Sequence, residues 1–169
     1  MEVVVVLDNI RSTYNVGAIL RTAEGFGVSE VIFSGVTPRV HDSSLLPHLR
    51  EKLDKQIHKT ALSAEDMIKI RNSEDILKTI SELKKQGFKI LGLENNIDDE
   101  RLFELHSKNL KEKLGEKIVL ILGEEVNGID KRLFRLIDYF AEIPMRGQKE
   151  SFNVSVAAGI ALFELSKTS

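Results

Sequence analysis

The residues best placed to do chemistry in this chain fall in three loops, Asn9–Asn15, Gly123–Asp130 and Met145–Asn153, each following a strand-like run. In an open α/β sheet, ligands bind beyond the carboxyl ends of the strands, so loops of this kind converge on one site. A fourth candidate, Glu94–Asp99, follows the run Lys89–Leu93. Gly123 stands at a strand end, where a side chain would block close backbone approach, and Gly128 adds a second flexible point. No Gly-Lys-Ser/Thr follows, so the middle loop is not a P-loop, and the only Gly-x-Gly (Gly25, Gly27) lies at a helix end. Glu124, directly after Gly123, would repel phosphate. These loops suit a neutral or cationic ligand better than a phosphate-bearing cofactor. The chain has no cysteine, and its four histidines lack metal-ligand spacing, so no metal site is expected.

The elements that position these loops read as alternating strands and helices. Val3–Leu7 is β-branched and apolar, the pattern of a strand buried on both faces of a parallel sheet. Asn15 is expected to cap a helix carrying Val16, Ile19, Leu20 and Ala23 on its apolar side, ended by Gly25 and Gly27. Glu30–Phe33, Lys89–Leu93, Lys117–Leu122 and Tyr139–Ile143 are further strands, and Ser73–Gln86 is an amphipathic helix. Asp130–Ile137 reads as a short helix, and Asn95–Glu116 as a polar stretch with a short helix near Leu110. Glu142–Leu165 reads as a strand end, a loop containing Pro144 and Gly147, then a helix capped by a residue such as Ser151 or Asn153. That helix is small and apolar on several sides, so it must pack closely on other backbone. Gly35–Thr60 is less regular, with a short helix expected over Leu45–Leu53. Its cations Arg39, Arg50, Lys52, Lys55 and Lys59 outnumber its acids, which suits a mobile segment that touches a polyanion.

At 169 residues, with 42% hydrophobic and 30% charged content, the chain is expected to form one soluble domain, 1–169, with a substantial core. The apolar run near the N-terminus is too short for a signal peptide or a membrane span, so a cytoplasmic protein is expected. A net charge of −2 neither announces nor excludes a nucleic-acid partner, because a local patch decides that.

In order, the motif-bearing stretches are NVGAILRTAEGFG, ILGEEVNG and IPMRGQKESFNVSVAAGIALFE. Together they resemble the TrmH/SpoU branch of the SPOUT RNA methyltransferases. That branch carries Asn-x-Gly-x-x-x-Arg, Leu-Gly-x-Glu-x-x-Gly, and Ile-Pro-Met-x-Gly followed by Ser-hydrophobic-Asn-hydrophobic-Ser. IHKTALSAE also resembles the branch, with Ser63 where a glycine is usual. The resemblance implies a mostly parallel α/β sheet with helices on both faces and a C-terminal trefoil knot that binds S-adenosylmethionine, in a homodimer. It implies a cofactor pocket lined by Leu93, Gly123, Ile143 and Phe152 and completed by Met145 and Ser151. It implies a catalytic surface of Asn15, Arg21, Glu124, Ser151 and Asn153, with Arg21 approaching the other subunit's site. The implied reaction is methyl transfer to a ribose 2′-hydroxyl of tRNA or rRNA. The alternative is a catalytically weak RNA-binding protein that keeps the fold. No separate RNA-binding extension is expected, so RNA contacts would fall to Gly35–Lys59, to Arg11, Arg21 and Arg146, and to a dimer surface.

Overall fold

Val4 and Val6 pack into one apolar layer, while Val5 and Leu7 pack into another. A strand with no polar face can exist only between two layers, and β1 (Glu2–Asp8) is the central case. The computed structural model describes residues 1–106 and 110–167, and of Lys111 only the backbone. The chain continues through α1 (Thr13–Gly25), β2 (Glu30–Ser34), α2 (Pro47–Ala61), α3 (Ala64–Met67), β3 (Ile70–Ser73) and α4 (Ile76–Lys85). It then forms β4 (Lys89–Leu93), β5 (Leu102–Glu104), α5 (Leu110–Leu114), β6 (Lys117–Leu122), a 3-10 turn (Lys131–Leu133), β7 (Tyr139–Glu142) and α6 (Val154–Ser166).

The seven strands form one sheet in the order β3-β2-β1-β6-β4-β7-β5, and every pairing is parallel. One face is covered by α1, α2, α5 and α6, through residues such as Leu20, Ile57, Leu114 and Leu162. The other is covered by α4 and the 3-10 turn, through Ile80, Leu83 and Leu133. Each fully buried Val, Leu or Ile contributes roughly 1.5–3 kcal/mol, so the two layers hold the central strands from both sides. Among the described residues no helix is long and apolar enough to cross a membrane.

The cap of α1 differs from the sequence expectation. Ser12 is the N-cap, and its hydroxyl accepts from the Asn15 backbone N–H. The helix therefore starts three residues earlier, and the Asn15 side chain is left available for other partners. Gly17 has a packing reason. A Cβ there would lie 2.2 Å from Thr60 Oγ1 and 2.3 Å from the Ile57 carbonyl oxygen, because α2 crosses α1 at that point.

The stretch expected to be a mobile loop is instead mostly α2, longer than the predicted helix. The loop before it is tied down by His41. Its Nε2 lies 3.1 Å from Asp66 Oδ1 and its Nδ1 3.2 Å from Asp54 Oδ2. Hydrogen bonding to Asp66, then to Asp54, holds its pKa above the ordinary histidine value. The backbone of Ser63 is left-handed, with φ of 74°, which accounts physically for the glycine usual at that position in the resembling branch.

Candidate active site

The loops after β4, β6 and β7 close around a cavity of about 740 Å³ at the carboxyl end of the sheet. Backbone geometry shapes it first. Glu124 and Gly128 exchange two backbone hydrogen bonds, of 3.0 and 2.9 Å, folding the middle loop back on itself. A Cβ on Gly123 would lie 2.3 Å from Gly128 C and Ile129 N, so the close approach this glycine permits is that of its own loop. Gly128, at φ +69°, faces Glu94, whose Oε2 accepts from the Ile129 N–H at 2.8 Å.

Asn95 joins the other two walls. Its Nδ2 donates to the Ile143 carbonyl at 3.0 Å, and its Oδ1 accepts from the Ile143 N–H at 3.1 Å. The same Nδ2 reaches the Glu150 carbonyl at 3.4 Å, and Asn96 Nδ2 reaches that carbonyl at 3.3 Å. One side-chain amide thus imitates a strand partner where Pro144 ends the ladder of β7. The loop Glu94–Asp99, expected as a fourth candidate from its place after a buried strand, does line the cavity; the clasp made by Asn95 was not foreseen.

Of the residues expected to line a pocket, Leu93, Gly123, Ile143, Ser151 and Phe152 all do so. Met145 does not appear among the lining residues; it follows Pro144 as the chain leaves the sheet. Among the described residues, the walls carry Glu94, Asp98, Glu124, Glu125 and Glu150 against a single cation, Lys131. Such walls disfavour phosphate and favour a cation. No histidine is among the described lining residues.

At the cavity mouth the first and last motifs meet, 138 positions apart in sequence. Asn153 Nδ2 donates to Asn15 Oδ1 at 3.2 Å, and Asn15 Nδ2 donates to Glu125 Oε1 at 2.9 Å. Asn153 also caps α6, its Oδ1 accepting from the Ser155 N–H at 2.8 Å. The carboxylate in this network is Glu125. Glu124 lies beside it, bonded by Asn127 Nδ2 at 2.7 Å and 3.7 Å from the exposed Arg11 guanidinium. The spacing Leu-Gly-x-Glu, counted from Leu122, lands on Glu125, so the sequence held the signal. Ser151 is exposed at the mouth, with no hydrogen-bond partner among the described residues.

Arg21 is not in this cluster. It lies exposed on α1, six residues past Asn15, and is not among the lining residues. Behind the first loop, Asp8 is buried at the end of β1. Burial pushes its carboxyl pKa up, against the lowering effect of the Ser34 hydroxyl bonded to it. Its Oδ2 has no hydrogen-bond partner among the described residues.

Comparison with known proteins puts this geometry in company. Residues 2–163 match the SpoU rRNA Methylase family. The chain is 34% identical over 159 residues to the 23S rRNA (guanosine-2′-O-)-methyltransferase RlmB of Xylella fastidiosa (strain 9a5c), covering 94% of this chain and 56% of that protein. The chain thus spans little more than half the length of that relative. Among solved structures it resembles the A. aeolicus TrmH/SpoU tRNA modifying enzyme, with a TM-score of 0.77 at 22% identity, covering 99% of this chain and 75% of that one. It also resembles an AdoMet-bound rRNA methyltransferase from Sinorhizobium meliloti, with a TM-score of 0.75 at 24% identity, covering 98% and 56%. These two likenesses carry the parallel-sheet fold.

Proposed function

The chain belongs to the SpoU rRNA Methylase family, and from that premise we propose that it transfers a methyl group from S-adenosylmethionine to a ribose 2′-hydroxyl of tRNA or rRNA, with the cytoplasm as its place of action. The observation that carries this reading is the Glu125–Asn15–Asn153 network at the mouth of an acid-walled cavity. S-adenosylmethionine supplies a methyl group already activated by a sulfonium. The donor set fits that group: the sulfonium is cationic and carries no phosphate, and the walls hold five carboxylates and one lysine. Leu93, Gly123, Ile143 and Phe152 would hold it, with Ser151 at the open side.

The protein's own residues must then seat the ribose and manage one proton. Asn15 and Asn153 present amides that hold a polar sugar edge, each fixed by the other. Arg21 is no simple base, because a guanidinium keeps its proton, with a pKa above ~12. It suits a phosphate beside the reacting ribose, where its charge stabilises developing alkoxide. The proton leaves through that phosphate, a carboxylate or water.

A homodimer is part of the proposal. Helix α6 is apolar almost all round, yet Val156 and Phe163 are each 49% exposed, and Phe26 lies 6.4 Å from Phe163 between ring centroids. An uncovered apolar stripe of this kind suits a second copy. Pairing there would let Arg21 of one copy approach the cavity of the other.

The test is methyl transfer from radiolabelled S-adenosylmethionine into unmethylated total RNA, followed by nucleoside analysis, with Arg21→Ala beside the wild type. Label in a 2′-O-methylated nucleoside is expected, lost in the variant while cofactor affinity stays within about twofold. Absence of both label and cofactor binding in the wild type overturns the reading.

A further inference from the structure

We infer that the outer face of α2 is a docking strip for the RNA phosphate backbone, leading the substrate to the cavity mouth; this rests on the function proposed above. His48, Lys52, Lys55 and Lys59 recur at spacings of four, three and four residues. At about 100° per residue they fall within an arc of roughly 60°, and the strip runs about 16 Å along the helix. All four are exposed, and the buried Ile57 points the opposite way.

The strip keeps most of its charge. Lys55 pairs with Glu51 at 2.6 Å, but both are largely exposed, and a surface pair of this kind competes weakly with a polyanion. Lys52 and Lys59 have no acidic partner among the described residues. A solvated helix face needs no such alignment, and the protein's net charge is −2, so three lysines on one line run against the average.

Position strengthens the case. Thr13 Oγ1 donates to Gln56 Oε1 at 3.4 Å, and Thr60 Oγ1 donates to the Tyr14 carbonyl at 2.9 Å. The C-terminal half of the strip is therefore fastened to the first turn of α1, next to Asn15. Tyr14, 49% exposed, offers a ring for a base to stack on at that junction. The close crossing at Gly17 keeps α1 and α2 in one fixed relation. A strand lying on α2 is thus directed toward the Glu125–Asn15–Asn153 network. Phosphate contacts of this kind position the substrate without reading its sequence.

The test measures binding of an unmodified transfer RNA transcript and of a ribosomal RNA fragment as a function of salt. It compares the wild type with Lys52→Gln/Lys55→Gln/Lys59→Gln. A control of equal charge, Lys78→Gln/Lys85→Gln/Lys89→Gln, lies on α4 and the start of β4; α4 covers the opposite face of the sheet. Losing three phosphate contacts should lower the slope of log affinity against log salt by about 2–3 and weaken binding roughly tenfold or more near physiological salt. S-adenosylmethionine affinity and melting temperature should stay unchanged, and the α4 control should behave as wild type. An unchanged slope in the α2 variant, with RNA binding and methylation intact, overturns the strip alone. Equal losses in both variants also overturn it, leaving only net charge. Absence of RNA binding by the wild type overturns both the strip and the proposed function.

Discussion

Replacing Asn95 tests whether its amide holds the cavity together. Asn95→Ala removes two good hydrogen bonds to Ile143, of 3.0 and 3.1 Å, and the longer one to Glu150. At about 1 kcal/mol net for each good bond, the clasp loosens by about 2 kcal/mol. If the cofactor needs the closed clasp, affinity falls by up to roughly 30-fold. Asn95→Asp is the sharper probe, because it keeps shape and the acceptor for the Ile143 N–H. It also places a carboxylate oxygen where Nδ2 stood, facing the carbonyls of Ile143 and Glu150. That oxygen has no donor to meet and repels both, adding a further cost of about 1 kcal/mol or more. The expected affinity order is wild type, then Asn95→Ala, then Asn95→Asp. Calorimetric titration with S-adenosylmethionine gives the order, and thermal melting should follow it. An added negative charge attracts a sulfonium, so Asn95→Asp binding as tightly as wild type, or more tightly than Asn95→Ala, refutes the clasp and makes bulk attraction dominant.

Ser63→Gly should stabilise the protein by about 1 kcal/mol, read as a rise of roughly 2–4 °C in melting temperature, because φ of 74° strains any side chain; a fall would show that the serine makes a compensating contact. Asp8→Asn should raise the melting temperature at pH 7. The folded state holds the Asp8 pKa above 3.8, so the stability tied to its protonated form is complete below pH 3.8 and is lost as pH rises through the folded value. The gain should therefore shrink to nothing near pH 3, and a gain independent of pH would assign it elsewhere. Phe163→Asp, which puts a charge on the half-exposed stripe of α6, should halve the mass seen by sedimentation at micromolar concentration without lowering helix content. A wild type that sediments as a monomer would remove the dimer.

The sequence showed its buried parts far better than its edges. β1, β2, β4, β6 and β7 are continuous apolar runs, and each was expected within a residue or two of its observed span. β3 (Ile70–Ser73) and β5 (Leu102–Glu104) went unseen. They are the two edge strands, four and three residues long, and polar residues interrupt them, leaving no run to detect. The expected short helix at Asp130–Ile137 is a 3-10 turn followed by irregular chain. Helix α2 was underestimated because only Ile57 and Ala61 on it are buried, too few to mark an apolar period through fifteen residues. In the site, Asn15 and Asn153 were legible by type, but their hydrogen bond was not, because it joins opposite ends of the chain. Asn95 was illegible for a related reason. An asparagine in a loop is ordinary, and only the third dimension puts Ile143 beside it.

The strand order has a consequence for how the molecule is made. β6 lies between β1 and β4, and β7 lies between β4 and β5, so each late strand must enter a slot flanked by strands translated before it. Two of the cavity's three walls, after β6 and β7, depend on those insertions. Residues 1–116, which precede β6, therefore hold no finished cavity, however well their own strands pair. Long-range parallel pairings of this kind form slowly. A ligand of that cavity, such as the cofactor proposed above, can then recognise only chains that have completed assembly. It gives nascent chains no template, and once bound it acts as a brake on unfolding.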